Sequence, residues 1–120
     1  MLCLIFLMKN NILLTSFFLK KAKRLLKKYH TLQKSLKQLE QCLISNPKLG
    51  SSYGSNIYKV PLADESKGKG KSGGFRVMTY VIEETNEETN IYLITIFDKS
   101  EESSITKDDI KEILAAEKLL

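Results

Sequence analysis

Apolar positions in the first half of the chain recur at helical spacing, and in the second half they fall into short dense runs. Ile12-Leu13-Leu14 is a brief apolar run and reads as a strand. Ser16 follows, with a hydroxyl suited to capping a helix. Phe18, Ala22, Leu25 and Tyr29 then recur at i, i+4, i+7 and i+11, which is one helical face. Lys20, Lys21, Lys23, Arg24, Lys27 and Lys28 fill most of the remaining surface. Thr31 opens a second helix with the stripe Leu32, Leu36, Leu39 and Leu43. Asn46-Pro47 ends it, because a proline pushes the residue before it out of the helical region.

The period then changes. Gly50, Ser51, Ser52, Gly54 and Ser55 form a loop, and Ile57 to Leu62 is a strand containing Pro61. Proline donates nothing to a ladder, so this strand is an edge, or Pro61 lies at its end or at a bulge. Ala63 to Gly74 is polar and rich in lysine and glycine. Phe75 to Glu83 and Ile91 to Asp98 are strands with apolar residues on both faces, as in a sheet covered on both sides. Glu84 to Asn90 joins them as a polar hairpin connection. Thr106-Lys-Asp-Asp109 is a variant capping box opening a last helix, with Ile110, Leu114 and Lys118 aligned. The predicted order is β-α-α-β-β-β-α. This is an α+β fold: a small, mostly antiparallel sheet, an N-terminal helical hairpin packed on one side, and a short C-terminal helix.

Composition adds constraints. At 120 residues the chain suits one modest core. Its two cysteines, Cys3 and Cys42, and its single histidine, His30, form no CxxC and cannot assemble a structural zinc site. No metal or cofactor is expected. The cysteines read as free thiols in a reducing cytoplasm. Met1 to Leu7 is apolar, but no basic residue precedes it, and Lys9, Asn10 and Asn11 cut it well short of a membrane span. Residues 1–8 are expected to be an N-terminal extension and 9–120 a single domain, with Met8 a natural start.

Charge sharpens the picture more than the net +5 suggests. Met1 to Arg76 carries fifteen basic and three acidic residues, and Val77 to Leu120 four basic and eleven acidic. A basic body with an acidic last third points to a polyanion partner, with the acidic end turned away from it.

Gly70-Lys71-Ser72 matches the end of a nucleotide-binding phosphate loop. Glu65 stands where the first glycine belongs, however, and the segment leads into a strand rather than a helix N-terminus. Lys67, Lys69 and Lys71 alternate with glycines, so the loop is either solvated or able to follow a phosphate backbone without reading sequence. Arg76 shares parity with Met78 and Tyr80. It is either paired with Asp98 or Glu83, or is a guanidinium aimed at a phosphate. Lys99 either makes a surface ion pair or joins Lys59 and Arg76 at a common end of the sheet. Lys20, Lys23 and Lys27 form either a solvated face or a nucleic-acid surface. Tyr29 and His30 read as packing and capping residues.

Taken together, Phe18 to Tyr29, Asn46-Pro47 with Gly50, Tyr58-Lys59, Gly68 to Val77 and Tyr92 to Ser100 resemble the RelE/HigB toxins of type II toxin–antitoxin systems. The resemblance spans roughly residues 12 to 118. Gly-Lys-Ser-Gly-Gly-Phe-Arg-Val with Asp-Lys-Ser is similar to a HigB-like branch. It implies a toxin that enters the ribosomal A site, against 16S rRNA, and cuts mRNA there. It also implies a cognate antitoxin as partner, no membrane, and a cytoplasmic location. The cut it implies is attack of a 2′-hydroxyl on the adjacent phosphate. Lys59 would act as a base, its pKa lowered by crowded cations. Arg76 would stabilise phosphate charge. Lys99 would be the basic residue ending the last strand, and Lys67, Lys69 and Lys71, with Lys20, Lys23 and Lys27, would hold RNA. Pro61 and Phe97 depart from residues common in the family, and no tyrosine follows Tyr92. A second reading therefore keeps RNA or DNA binding and the antitoxin without cleavage.

Overall fold

A computed structural model describes residues 9–67 and 73–119. Its elements in chain order are β1 (Lys9–Leu14), α1 (Ser16–Lys28), α2 (Leu32–Ser45), β2 (Ser51–Ser52), β3 (Ile57–Leu62), β4 (Phe75–Thr85), β5 (Glu88–Asp98) and α3 (Lys107–Ala116). Short 3-10 turns occupy Glu65–Lys67 and Lys99–Ser104. The strands form one sheet in the order β1-β5-β4-β3-β2. Neighbours are antiparallel except β1 and β5, which run parallel. The α+β fold read from the sequence is the fold observed, with β2 as an addition.

Several local expectations are corrected. Thr15, not Ser16, caps α1. Thr15 is extended and its hydroxyl accepts from Phe18 N, whereas Ser16 is already helical and its hydroxyl donates to Glu117. Thr31 makes no cap bond, because its hydroxyl is committed to Asp64. The β4–β5 strands continue through polar residues expected in the turn, pairing Glu83 with Thr89 and Thr85 with Glu88. Lys118 lies past the end of α3 with φ +62°. Pro61 pairs with Arg76 on β4, beyond the two residues, Tyr58 and Lys59, that β2 covers on the outer edge of β3. Its missing N–H is therefore tolerated by an uncovered strand edge.

Each face of the sheet packs its own core. The helical hairpin brings Phe18, Ala22, Leu32, Leu39 and Leu43 onto Val60, Leu62, Phe75, Val77, Val81, Ile91, Leu93 and Ile96. On the opposite face Ile110 and Leu114 of α3 cover Ile57, Met78, Tyr80, Ile94 and Phe97. The apolar content of both faces of β4 and β5 follows from this two-sided cover.

A bulge in β5 decides which residues face which core. Met78 pairs with Thr95 and Thr79 with Leu93, so Ile94 has no partner. One extra residue inverts the alternation. Before it, Leu93 faces the hairpin; after it, Ile96 does, while Phe97 turns to α3. The Thr15 hydroxyl lies 3.0 Å from the carbonyl oxygens of Leu93 and Ile94, so the α1 cap also serves the bulge. Among the described residues no helix is long and apolar enough to cross a membrane.

Candidate active site

Lys59 pairs in register with Met78, and Arg76 precedes Met78 by two, so both side chains lie on the α3 face of the sheet. The end of β5 supplies the third cation. Asp98 caps the 3-10 turn by accepting from Ser100 N, and the Glu101 carboxylate accepts from Asp98 N. Lys99 N donates to Gly74 O, which ties the turn to the start of β4. Gly74 has φ +55°, and a Cβ there would lie 2.3 Å from Leu62 O, so only glycine fits this crossing of chains.

The turn presents Glu102 to all three cations. Lys59 Nζ donates to Glu102 Oε1 at 2.5 Å. Arg76 Nε and Lys99 Nζ each stand 3.6 Å from Glu102 Oε2. These two contacts are Coulombic rather than hydrogen-bonded, and Oε2 is buried with no hydrogen-bond partner. Arg76 is 7% exposed and is held in place because its Nη1 donates to the carbonyls of Gly73 and Phe75 at 3.0 Å. It therefore pairs with neither Asp98 nor Glu83, which are taken by Lys67 and Lys48. Lys59 also stands over the Tyr53 ring, 5.2 Å from its centroid, with Lys107 at 5.4 Å from the same ring.

The electrostatics revise one expectation. The Glu102 hydrogen bond, helped by Tyr53, raises the Lys59 pKa above the ordinary lysine value. A cation-crowded lysine with a lowered pKa is not what forms here, because a carboxylate sits among the cations. The Lys59 bond conversely holds the Glu102 carboxyl below the usual range, with Lys99 and Arg76 adding to the effect. Glu102 also belongs to the acidic last third, which was expected to face away from the basic site.

The other expected site residues separate into distinct places. Lys67 lies on the hairpin face, where it pairs with Asp98, donates to the Tyr29 hydroxyl at 3.1 Å and stands over the Tyr29 and Phe75 rings. The Lys67 bond lowers the Tyr29 pKa. Burial works to raise the Asp98 pKa, but bonds from Lys67 and Ser100 outweigh it and the net shift is downward. Lys20, Lys23 and Lys27 line an open depression on α1 together with Arg24. Lys69 and Lys71 lie outside the described residues. Cys42 is an exposed free thiol.

Sequence reasoning missed Glu102 and Tyr53. Glu102 is three residues after Lys99, the spacing of one helical turn, but the turn itself was not foreseen. Tyr53 lies in a loop with no periodicity to place it.

A cluster of one arginine and two lysines at one end of a sheet is chemistry suited to a phosphodiester, since fixed cations stabilise charge developing on phosphate oxygens. A family model described as the RelE toxin of the RelE/RelB toxin–antitoxin system matches residues 10–120. An antitoxin protein is the partner this implies. The match takes in all three cations and every described element except Lys9, and on that extent the chain belongs to the RelE toxin family, as the toxin of a toxin–antitoxin system.

Proposed function

We propose that this toxin is a ribosome-dependent mRNA endonuclease of the HigB-like branch, acting in the cytoplasm and silenced by its antitoxin. The observation that carries the reading is the convergence of Lys59, Arg76 and Lys99 on one point at the end of the sheet. Arg76, with its guanidinium anchored by two backbone carbonyls, is placed to clamp a phosphate without reorganising. Lys99, the most exposed of the three, meets RNA first, and Lys59 handles a proton. The α1 lysines Lys20, Lys23 and Lys27 face out and suit contacts to ribosomal RNA phosphates. Lys67, Lys69 and Lys71 belong to the same RNA-holding role, with Lys67 fixing the base of its loop through Asp98.

Expression of the chain without an antitoxin should arrest growth and produce cleaved mRNA. Arg76→Ala should lower cleavage on mRNA-programmed ribosomes by about 10²–10³-fold. A thermal melt of the variant separates this from misfolding. Normal growth and intact mRNA with the unaltered chain would reject the endonuclease reading, and binding to ribosomes without cut products would favour the non-cleaving alternative.

A further inference from the structure

Glu102 poses a chemical question. A carboxylate oxygen buried without a hydrogen bond is costly, and here it is offset only by two cations at 3.6 Å. Resting on the endonuclease reading, we propose that Glu102 is a catalytic residue, the base that takes the 2′-hydroxyl proton, with Lys59 the acid that protonates the leaving oxygen.

The geometry assigns the two roles. Lys59 donates to Glu102 and so holds its proton, which fits it to give one up rather than to take one. Glu102 Oε2 has a vacant acceptor position. Arg76 and Lys99 cover it, yet neither is hydrogen-bonded to it. A substrate phosphate offers both cations a doubly charge-assisted contact, and drawing the exposed Lys99 across, while Arg76 stays anchored, uncovers Oε2 beside the phosphate. The 2′-hydroxyl is attached one carbon from the 3′-oxygen that carries that phosphate, so it arrives at the same place. The Lys59 bond does most to hold the carboxyl down and Lys99 and Arg76 add to it, so a phosphate that shares Lys99 returns part of its proton affinity. Tyr53 stands beside Lys59 and favours its ammonium form, and Lys107 lies over the same ring.

The step balances without a co-reactant. The 2′-oxygen forms a bond to phosphorus as its proton passes to Glu102, the bond from phosphorus to the 5′-oxygen breaks, and Lys59 supplies the proton to that oxygen. The products are a 2′,3′-cyclic phosphate and a 5′-hydroxyl. Glu102 is left protonated and Lys59 neutral. Their direct hydrogen bond returns the proton and resets the site.

The test compares the unaltered chain, Glu102→Gln and Glu102→Asp on mRNA-programmed ribosomes, reading single-turnover rate against pH, RNA affinity and thermal melting. Glu102→Gln should cleave about 10²–10⁴-fold more slowly, with RNA binding kept or tightened and the acid limb of the rate profile gone. Glu102→Asp should keep the acid limb at an intermediate rate. A Glu102→Gln chain that cleaves as fast as the unaltered one, or faster, overturns the assignment and leaves Glu102 a mere anion among the cations. Equal loss of RNA binding in both variants with an unchanged acid limb also overturns it. If the unaltered chain cuts nothing, the endonuclease reading itself fails and the base assignment falls with it.

Discussion

Asp64 is 4% exposed and ionised among hydroxyls: Thr31, Ser35 and Ser66 all donate to its carboxylate. It joins the start of α2 to the segment after β3, and so fixes where the hairpin sits on the sheet. Burial pushes its pKa up, but the three hydroxyls and Ser66 N outweigh this and the net shift is downward. The sign then follows. A group with a lowered folded pKa contributes fully above its unfolded pKa and loses that contribution as pH falls through the folded value. Asp64→Ala should therefore cost about 1–3 kcal/mol at neutral pH. The gap between variant and unaltered chain should be constant above roughly pH 5 and shrink in acid. Urea unfolding at several pH values measures it, and a gap independent of pH would reject the account. This residue shows a limit of sequence reading. Thr31 was legible as a polar residue at a helix start, but its choice between capping and a partner 33 positions away is a tertiary contest.

At the scale of elements, glycine positions separate two costs. Gly54 has φ +78° with nothing within 4 Å of an added Cβ, so Gly54→Ala carries backbone strain alone, about 1–2 kcal/mol. Gly74 carries comparable strain, and its Cβ would also strike Leu62 O. Gly74→Ala should destabilise distinctly more than Gly54→Ala in thermal or urea unfolding, and should also slow cleavage by displacing Arg76 and Lys99. Equal destabilisation by the two would contradict the close approach. The helices and the longer strands were readable, because Phe18-Ala22 and Leu32-Leu39-Leu43 carry a helical period and Phe75–Ile82 a strand's apolar density, whereas β2 fell in what read as a loop. The bulge at Ile94 was not, since nothing in Leu93-Ile94-Thr95-Ile96 distinguishes an inserted residue from a paired one. That bulge turns Asp98 toward Lys67 instead of toward Arg76. The pairing of Lys59, Arg76 and Lys99 was legible from strand ends and resemblance, while Glu102 needed the turn that follows.

For the whole molecule, charge is sorted by location rather than by sequence third. The α1 lysines lie on the hairpin side, the three clustered cations on the other face, and acidic Glu102 and Asp98 each hold basic partners. Replacing Lys20, Lys23 and Lys27 together by alanine should weaken RNA binding uniformly across sequences. It should also reduce the slope of log affinity against log salt by about 2, from roughly 0.7 per lost phosphate contact. Anisotropy titrations at several salt concentrations read this directly, and an unchanged slope would remove α1 from the RNA surface. The parallel pairing of β1 with β5 has a consequence in time. The first strand waits for the last, and Glu102 follows Lys59 by 43 residues, so at roughly 5–20 residues per second the chain spends seconds on the ribosome with Lys59 already made but its cluster unassembled. The cluster is incomplete until β5 and the turn after it have emerged, which gives an antitoxin a window in which to arrive first.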